Sequence, residues 1–278
     1  MRSVIRIFLL ATCFPGFLVV KGQADSVLYQ KDSVVEIEQD CTTSFFKRSD
    51  KIAMPAKTIL VLKNSKTVSL AGFVKTNDAG SSSEQGFIDL DGDGKKELVI
   101  SGFTGGAHCC DEIYVFRNIG PNKYQHVAKL FAGNTCITAD NEFLYDFYEQ
   151  FGYFFTCFAC SYEDTSDTAP LPIHSIVLKY SKGRMILTAL DKELKSKLND
   201  NLAKLGEQPY EKPEDNIAQD NGLRKEFAMN LAVYYYSFGR NLAETQRLFN
   251  KYYKYPDAKK VWAAFAKQVQ YMRKDNDF

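Results

Sequence analysis

The chain has no GxSxG, HExxH, phosphate-loop or dinucleotide-binding fingerprint, so the signatures of the common serine hydrolases, zinc peptidases and nucleotide enzymes are missing. Past its opening residues, no apolar run approaches the roughly 20 residues that a helix needs to cross a bilayer. Excess positive charge is also lacking. The 35 basic residues stand against 34 acidic ones, and removal of Arg2, Arg6 and Lys21 with a leader leaves a net charge near −2. Nucleic-acid binding depends on concentrated positive charge, so no nucleic-acid partner is expected. No long crossover helix separates the strand-like runs before residue 190, which argues against a parallel sheet and for antiparallel strands joined by short loops.

What is present begins with "MRSVIRIFLLATCFPGFLVVKGQAD", which has the layout of a secretory signal. Arg2 and Arg6 supply the positive start, an apolar run follows, and Gly22 and Ala24 are small residues suited to cleavage before Asp25. Residues 1–24 are therefore expected to be a signal peptide. The mature chain is expected to be soluble and either secreted or periplasmic, in the manner of an exported bacterial protein. Its six cysteines, Cys41, Cys109, Cys110, Cys136, Cys157 and Cys160, are disulfide candidates in such an oxidising compartment. Their connectivity is open.

Composition divides the mature chain near residue 190. Residues 25–190 hold short runs rich in Val, Ile, Phe, Thr and Tyr, among them "VVEIE", "TILVLK", "TVSLAGFVK", "ELVISGF", "EIYVFRN", "YQHVAKLFA", "YFFTCF", "HSIVLKY" and "RMILTAL". Turn-forming clusters separate these runs, so they read as strands. Residues 191–278 change period. Leu190, Leu194, Leu198, Leu202 and Leu205 recur at helical spacing, and Leu223, Phe227 and Leu231 mark a second helix. "NLAETQRLFNKYY" is a third. Asp257 then caps a last helix carrying Val261, Trp262, Phe265, Val269 and Met272 on one face. The expected fold class is α+β, an antiparallel β domain, propeller-blade-like or a sandwich, followed by a small helical subdomain.

The densest chemistry is "GFIDLDGDGKKELVI". Asp89, Asp91 and Asp93 alternate, and Glu97 follows within reach. Hard cations such as calcium take six to eight oxygen ligands, and alternating acids in a tight loop turn their carboxylates inward. Gly92 and Gly94 permit the sharp backbone turns. An EF-hand starting at Asp89 requires a glutamate where Ile100 stands and helices on both flanks, whereas these flanks read as strands. The stretch resembles the calcium loop of FG-GAP or VCBS-type repeats, the blade unit of integrin-alpha-like β-propellers. The resemblance implies calcium held by Asp89, Asp91, Asp93, the Lys95 carbonyl and Glu97. No second "DxDxDG" occurs, so only a single repeat is expected.

"TGGAHCC" and "CFAC" supply the remaining candidates. Adjacent residues on a strand point to opposite faces, so Cys109 and Cys110 are expected in different bridges rather than on one zinc or copper ion. His108 reads as a hydrogen-bonded structural residue, and His126 and His174 stand in ordinary strand-like runs. Cys157 and Cys160 fit either a structural bridge or a redox CxxC. The expected function is thus an exported, calcium-binding, disulfide-stabilised binding or interaction protein without an evident catalytic site, its partner a protein or glycan. The alternative is a periplasmic thiol–disulfide redox protein using Cys157 and Cys160.

Overall fold

Alternating burial along neighbouring strands gives this structure its layers. It is a computed structural model that describes residues 57–77, 83–103, 111–131, 136–160, 162, 173–188, 192–210 and 221–278. The expected signal peptide and "VVEIE" lie outside the described residues. Among those described, six strands, β1 (Ile59–Val61), β2 (Thr67–Ser69), β3 (Ser83–Ile88), β4 (Glu97–Phe103), β5 (Asp111–Gly120) and β6 (Lys123–Phe131), form one sheet in the order β2-β1-β6-β5-β4-β3. A second sheet has the order β10-β9-β8-β7, with β7 (Cys136–Ile137), β8 (Glu142–Asp146), β9 (Ser175–Ser181) and β10 (Arg184–Leu187). Every pairing is antiparallel except β1 beside β6. With helices following, the fold class is α+β.

The period of two in β4 and β5 sends side chains into two separate cores. Leu98, Ile100, Tyr114 and Phe116 join Leu60, Phe87 and Tyr124 on one face. Val99, Ile113 and Val115 join Ala128 and Leu130 on the other, in a larger core shared with the second sheet and the C-terminal helices. The central strands are therefore apolar on both faces. Each such buried side chain contributes about 1.5–3 kcal/mol relative to exposure.

Helix α1 (Leu70–Asn77) covers the smaller core, and here the reading of "TVSLAGFVK" as one strand is corrected. Only Thr67–Ser69 is extended. The Ser69 hydroxyl accepts the Gly72 amide at 3.0 Å, an N-cap bond, and Leu70, Phe73 and Val74 then bury at helical spacing. "YFFTCF" is also not a strand. The chain forms the short helix α2 (Tyr148–Phe151) and then a run of turns. Phe151 and Phe154 pack into the core, with Phe151 stacked on Phe265 and edge-on to Phe154, whereas Tyr153 is exposed.

The C-terminal helices are α3 (Leu194–Gly206), α4 (Leu223–Ser237), α5 (Leu242–Tyr252) and α6 (Ala258–Asp275). α3, α5 and α6 bury one stripe each. α4 differs from the single stripe expected: it is buried all round from Leu223 to Tyr236, packed by α2, α3, α5, α6 and β9. Its charged residues need partners inside the protein, while the buried Tyr235 and Tyr236 hydroxyls have none among the described residues. Arg224 finds one in Asp257, whose carboxylate accepts the Arg224 Nε–H at 2.7 Å and the Tyr253 hydroxyl at 2.9 Å. Asp257 thus stands at the N-cap of α6, but its side chain ties α4 and α5 to that point instead of capping the helix.

Gly206 marks the closest approach of α3 to α5, since a Cβ there meets the Tyr252 carbonyl oxygen at 2.5 Å. Gly206→Ala is expected to destabilise by about 1–3 kcal/mol through overpacking, although helix propensity alone favours alanine by up to about 1 kcal/mol. Urea unfolding measures the sign. A midpoint at or above that of the wild type would show that the contact yields without cost.

Candidate metal site

β3 and β4 pair with Ile88 opposite Glu97, so residues 89–96 must reverse the chain within a hairpin. Asp89 organises that reversal. Its Oδ1 accepts the amides of Gly92 (2.8 Å) and Asp93 (3.1 Å), and its Oδ2 accepts the Gly94 amide (2.8 Å). The flanks are strands, not the helices of an EF-hand, and Ile100 is buried within β4.

The second sheet completes the surroundings. Lys182 and Gly183, at the β9–β10 turn, have φ of 50° and 82°, the pattern of a two-residue type I′ hairpin. A side chain at Gly183 would meet Arg117 of β5 at 2.8 Å, so the turn seats closely on the first sheet. From this seat the Lys182 amide donates to Asp91 Oδ2 at 3.0 Å. Tyr180 donates its phenol to the Glu97 carboxylate, and the Asn141 side-chain amide reaches the Asp89 carbonyl at 3.4 Å. These three neighbours were not identified from sequence. "SKGR" is legible as a turn, but its landing place on a loop ninety-one positions earlier is not.

Asp89, Asp91 and Glu97 converge, each offering a carboxylate oxygen within 4.8 Å of the other two. Two oxygens bound to one calcium ion at 2.3–2.6 Å stand at most about 5 Å apart, so the spacing suits a shared cation. Two further observations fit. Asp91 Oδ1 is buried with no hydrogen-bond partner among the described residues, and such an oxygen loses its hydration without replacement. Glu97 is 2% exposed and accepts the Leu90 amide at 3.0 Å. Its carboxyl is pushed up to about 7, by burial first and then by the charges of Asp91 and Asp93. Asp93 stands outside the cluster of three. Its Oδ1 accepts the Lys95 amide at 2.7 Å, and its Oδ2 lies 3.8 Å from the exposed Lys95 ammonium.

Of the cysteine candidates, Cys157 and Cys160 are bonded to each other. Cys136 opens β7, with its side chain outside the described residues, as are Cys41, Cys109, Cys110 and the neighbouring His108. His174 engages both carboxylate oxygens of Glu226 at 2.8 Å.

In metal-free protein, Glu97 carries a pH signature. Its folded value lies above the ordinary 4.5, so its stabilising share is full below about pH 4.5 and is lost as pH rises to about 7. Glu97→Gln keeps an acceptor for Leu90 and removes the charge. The metal-free variant is expected to lack this decline and to be more stable than the wild type at pH 8 by about 1 kcal/mol or more. Urea titrations at several pH values check this; parallel pH profiles of variant and wild type would contradict it. Comparison of the chain with protein-family models, with curated proteins and with solved structures finds no match.

Proposed function

We propose that this chain is an exported, calcium-binding interaction protein whose acidic hairpin loop is a structural calcium site. The observation that carries this reading is the buried Asp91 Oδ1, without a hydrogen-bond partner among the described residues, beside Asp89 and Glu97. Carboxylates at this spacing repel one another, and a divalent cation converts that repulsion into attraction. Asp89, Asp91 and Glu97 would hold the ion; its contribution would be charge neutralisation and rigidity. Asp93 and the Lys95 carbonyl, implied by the FG-GAP/VCBS resemblance, join the proposed ligand set if the loop tightens around the ion. The strand–loop–strand setting supports that resemblance for this one hairpin.

Export is proposed from the leader-like opening and from the Cys157–Cys160 bridge, which suits an oxidising compartment. The partner is proposed to be a protein or glycan. No helix among the described residues is long and apolar enough to cross a membrane.

Calcium is expected to bind the exhaustively chelated protein with a measurable heat. At a hundredfold excess over Kd it should stabilise the fold by about 2.7 kcal/mol, which for a chain of this size raises Tm by roughly 5–10 °C. Asp91→Asn is expected to weaken binding by about tenfold or more. Calorimetry without heat, together with an unchanged Tm, would remove the site assignment.

A further inference from the structure

We propose that the Cys157–Cys160 bridge is a second functional site, a thiol–disulfide exchange centre that oxidises thiol pairs of a partner protein, with Lys225 as its positioning charge. This inference does not depend on the calcium reading. It rests on how the interior meets the CxxC turn.

Both cysteines are partly exposed, so the bridge lies near the surface rather than in the core. Directly behind them lies Lys225 of α4, with no exposed surface. Its ammonium donates to the Cys157 carbonyl at 3.2 Å and the Phe158 carbonyl at 2.8 Å, and it lies 4.5 Å from the centre of the Tyr148 ring. The Tyr148 hydroxyl donates to the same Phe158 carbonyl at 2.7 Å. The backbone between the cysteines is thus pinned to a buried positive charge, and one receiving carbonyl belongs to Cys157 itself. An intact bridge has no charge for Lys225 to stabilise, but a thiolate at Cys157 does. The arrangement therefore favours the reduced state, which makes the oxidised bridge an electron acceptor.

A docking feature adjoins the sulfurs. Tyr153 is 70% exposed, and its ring lies 5.4 Å from that of Phe158, which sits between the two cysteines in sequence. Gly152 keeps this arrangement open, because a Cβ there would strike the Phe158 ring at 2.3 Å. The result is an exposed aromatic shelf beside a disulfide, suited to an extended polypeptide carrying thiols.

The exchange balances without a further reactant. A substrate thiolate attacks Cys157 Sγ, forming a mixed disulfide and breaking the Cys157–Cys160 bond. Cys160 leaves as a thiolate and takes up a proton. The second substrate thiol, losing its proton to solvent, attacks the substrate sulfur of the mixed disulfide and expels Cys157 as a thiolate, on the residue whose carbonyl Lys225 holds. The substrate loses two electrons and becomes a disulfide; the CxxC gains them and becomes a dithiol.

The experiment uses the full chain, with calcium and again with chelator, so that failure of the metal reading is separable. The protein is equilibrated in glutathione buffers of graded ratio, alkylated, and the peptide spanning Cys157 and Cys160 is weighed. Half-reduction in buffers that leave a structural bridge closed is the expected result; a bridge that stays oxidised throughout overturns the proposal. In Cys160→Ser, iodoacetamide labelling of Cys157 is expected to reach half its maximal rate below about pH 7, against about 8.5 for a free thiol. A midpoint at or above the free value also overturns it. Lys225→Met in the same background should lower labelling at neutral pH roughly tenfold. Should that variant not fold, the glutathione and Cys160→Ser measurements decide.

Discussion

The helical side of the larger core is arranged around α4, a helix buried all round that carries Arg224, Lys225 and Glu226 in succession. Three consecutive charged residues inside a protein are costly unless each is paired or hydrogen-bonded. Helical geometry spreads them in three directions, and each direction reaches a different element. Arg224 reaches Asp257 at the start of α6, Lys225 reaches the CxxC turn, and Glu226 reaches His174 just before β9. The apolar remainder of the helix supplies cohesion, while these charges specify which elements surround it. Asn230 extends the arrangement by donating to Glu226 and accepting from Asn201 of α3.

The acidic loop obeys the same physics at the other end of the first sheet. Asp89 spends its oxygens on loop amides, which fixes the backbone but leaves Asp91 and Glu97 to other partners. Glu97 accepts the Leu90 amide of the loop, and the other partners come from the second sheet, through the β9–β10 turn and Tyr180. The proposed cation site is therefore an inter-sheet device, and a bound ion would join two layers as well as close a loop. At the CxxC, the proposed exchange site has a similar dependence, since its charge comes from a helix more than sixty positions along the chain.

Much of the secondary structure is visible in local pattern. "ELVISGF" coincides with β4, "HSIVLKY" overlaps β9, and the leucine spacing from Leu194 to Leu205 is α3. The failures are instructive. "TVSLAGFVK" is rich in strand-forming residues, yet Ser69 capping and the Leu70, Phe73, Val74 stripe make most of it a helix over the small core. "YFFTCF" has the composition of a strand but follows the short helix α2 as turns. Within them Phe154 is buried and Tyr153 left exposed. α4 was legible as a helix, but burial of its charged residues was not, because the groups that accept them lie in other elements.

The sequence by itself determined the class of the fold, the helical stripes and the acidic hairpin loop with its strand flanks. These depend on periodicities of two and 3.6 and on residues that lie close along the chain. Tertiary structure alone decided which acids converge, which backbone amide holds Asp91, and which charge stands behind Cys157. Each of these is a contact between distant segments, set by how two sheets and a buried helix pack, and no local pattern encodes it.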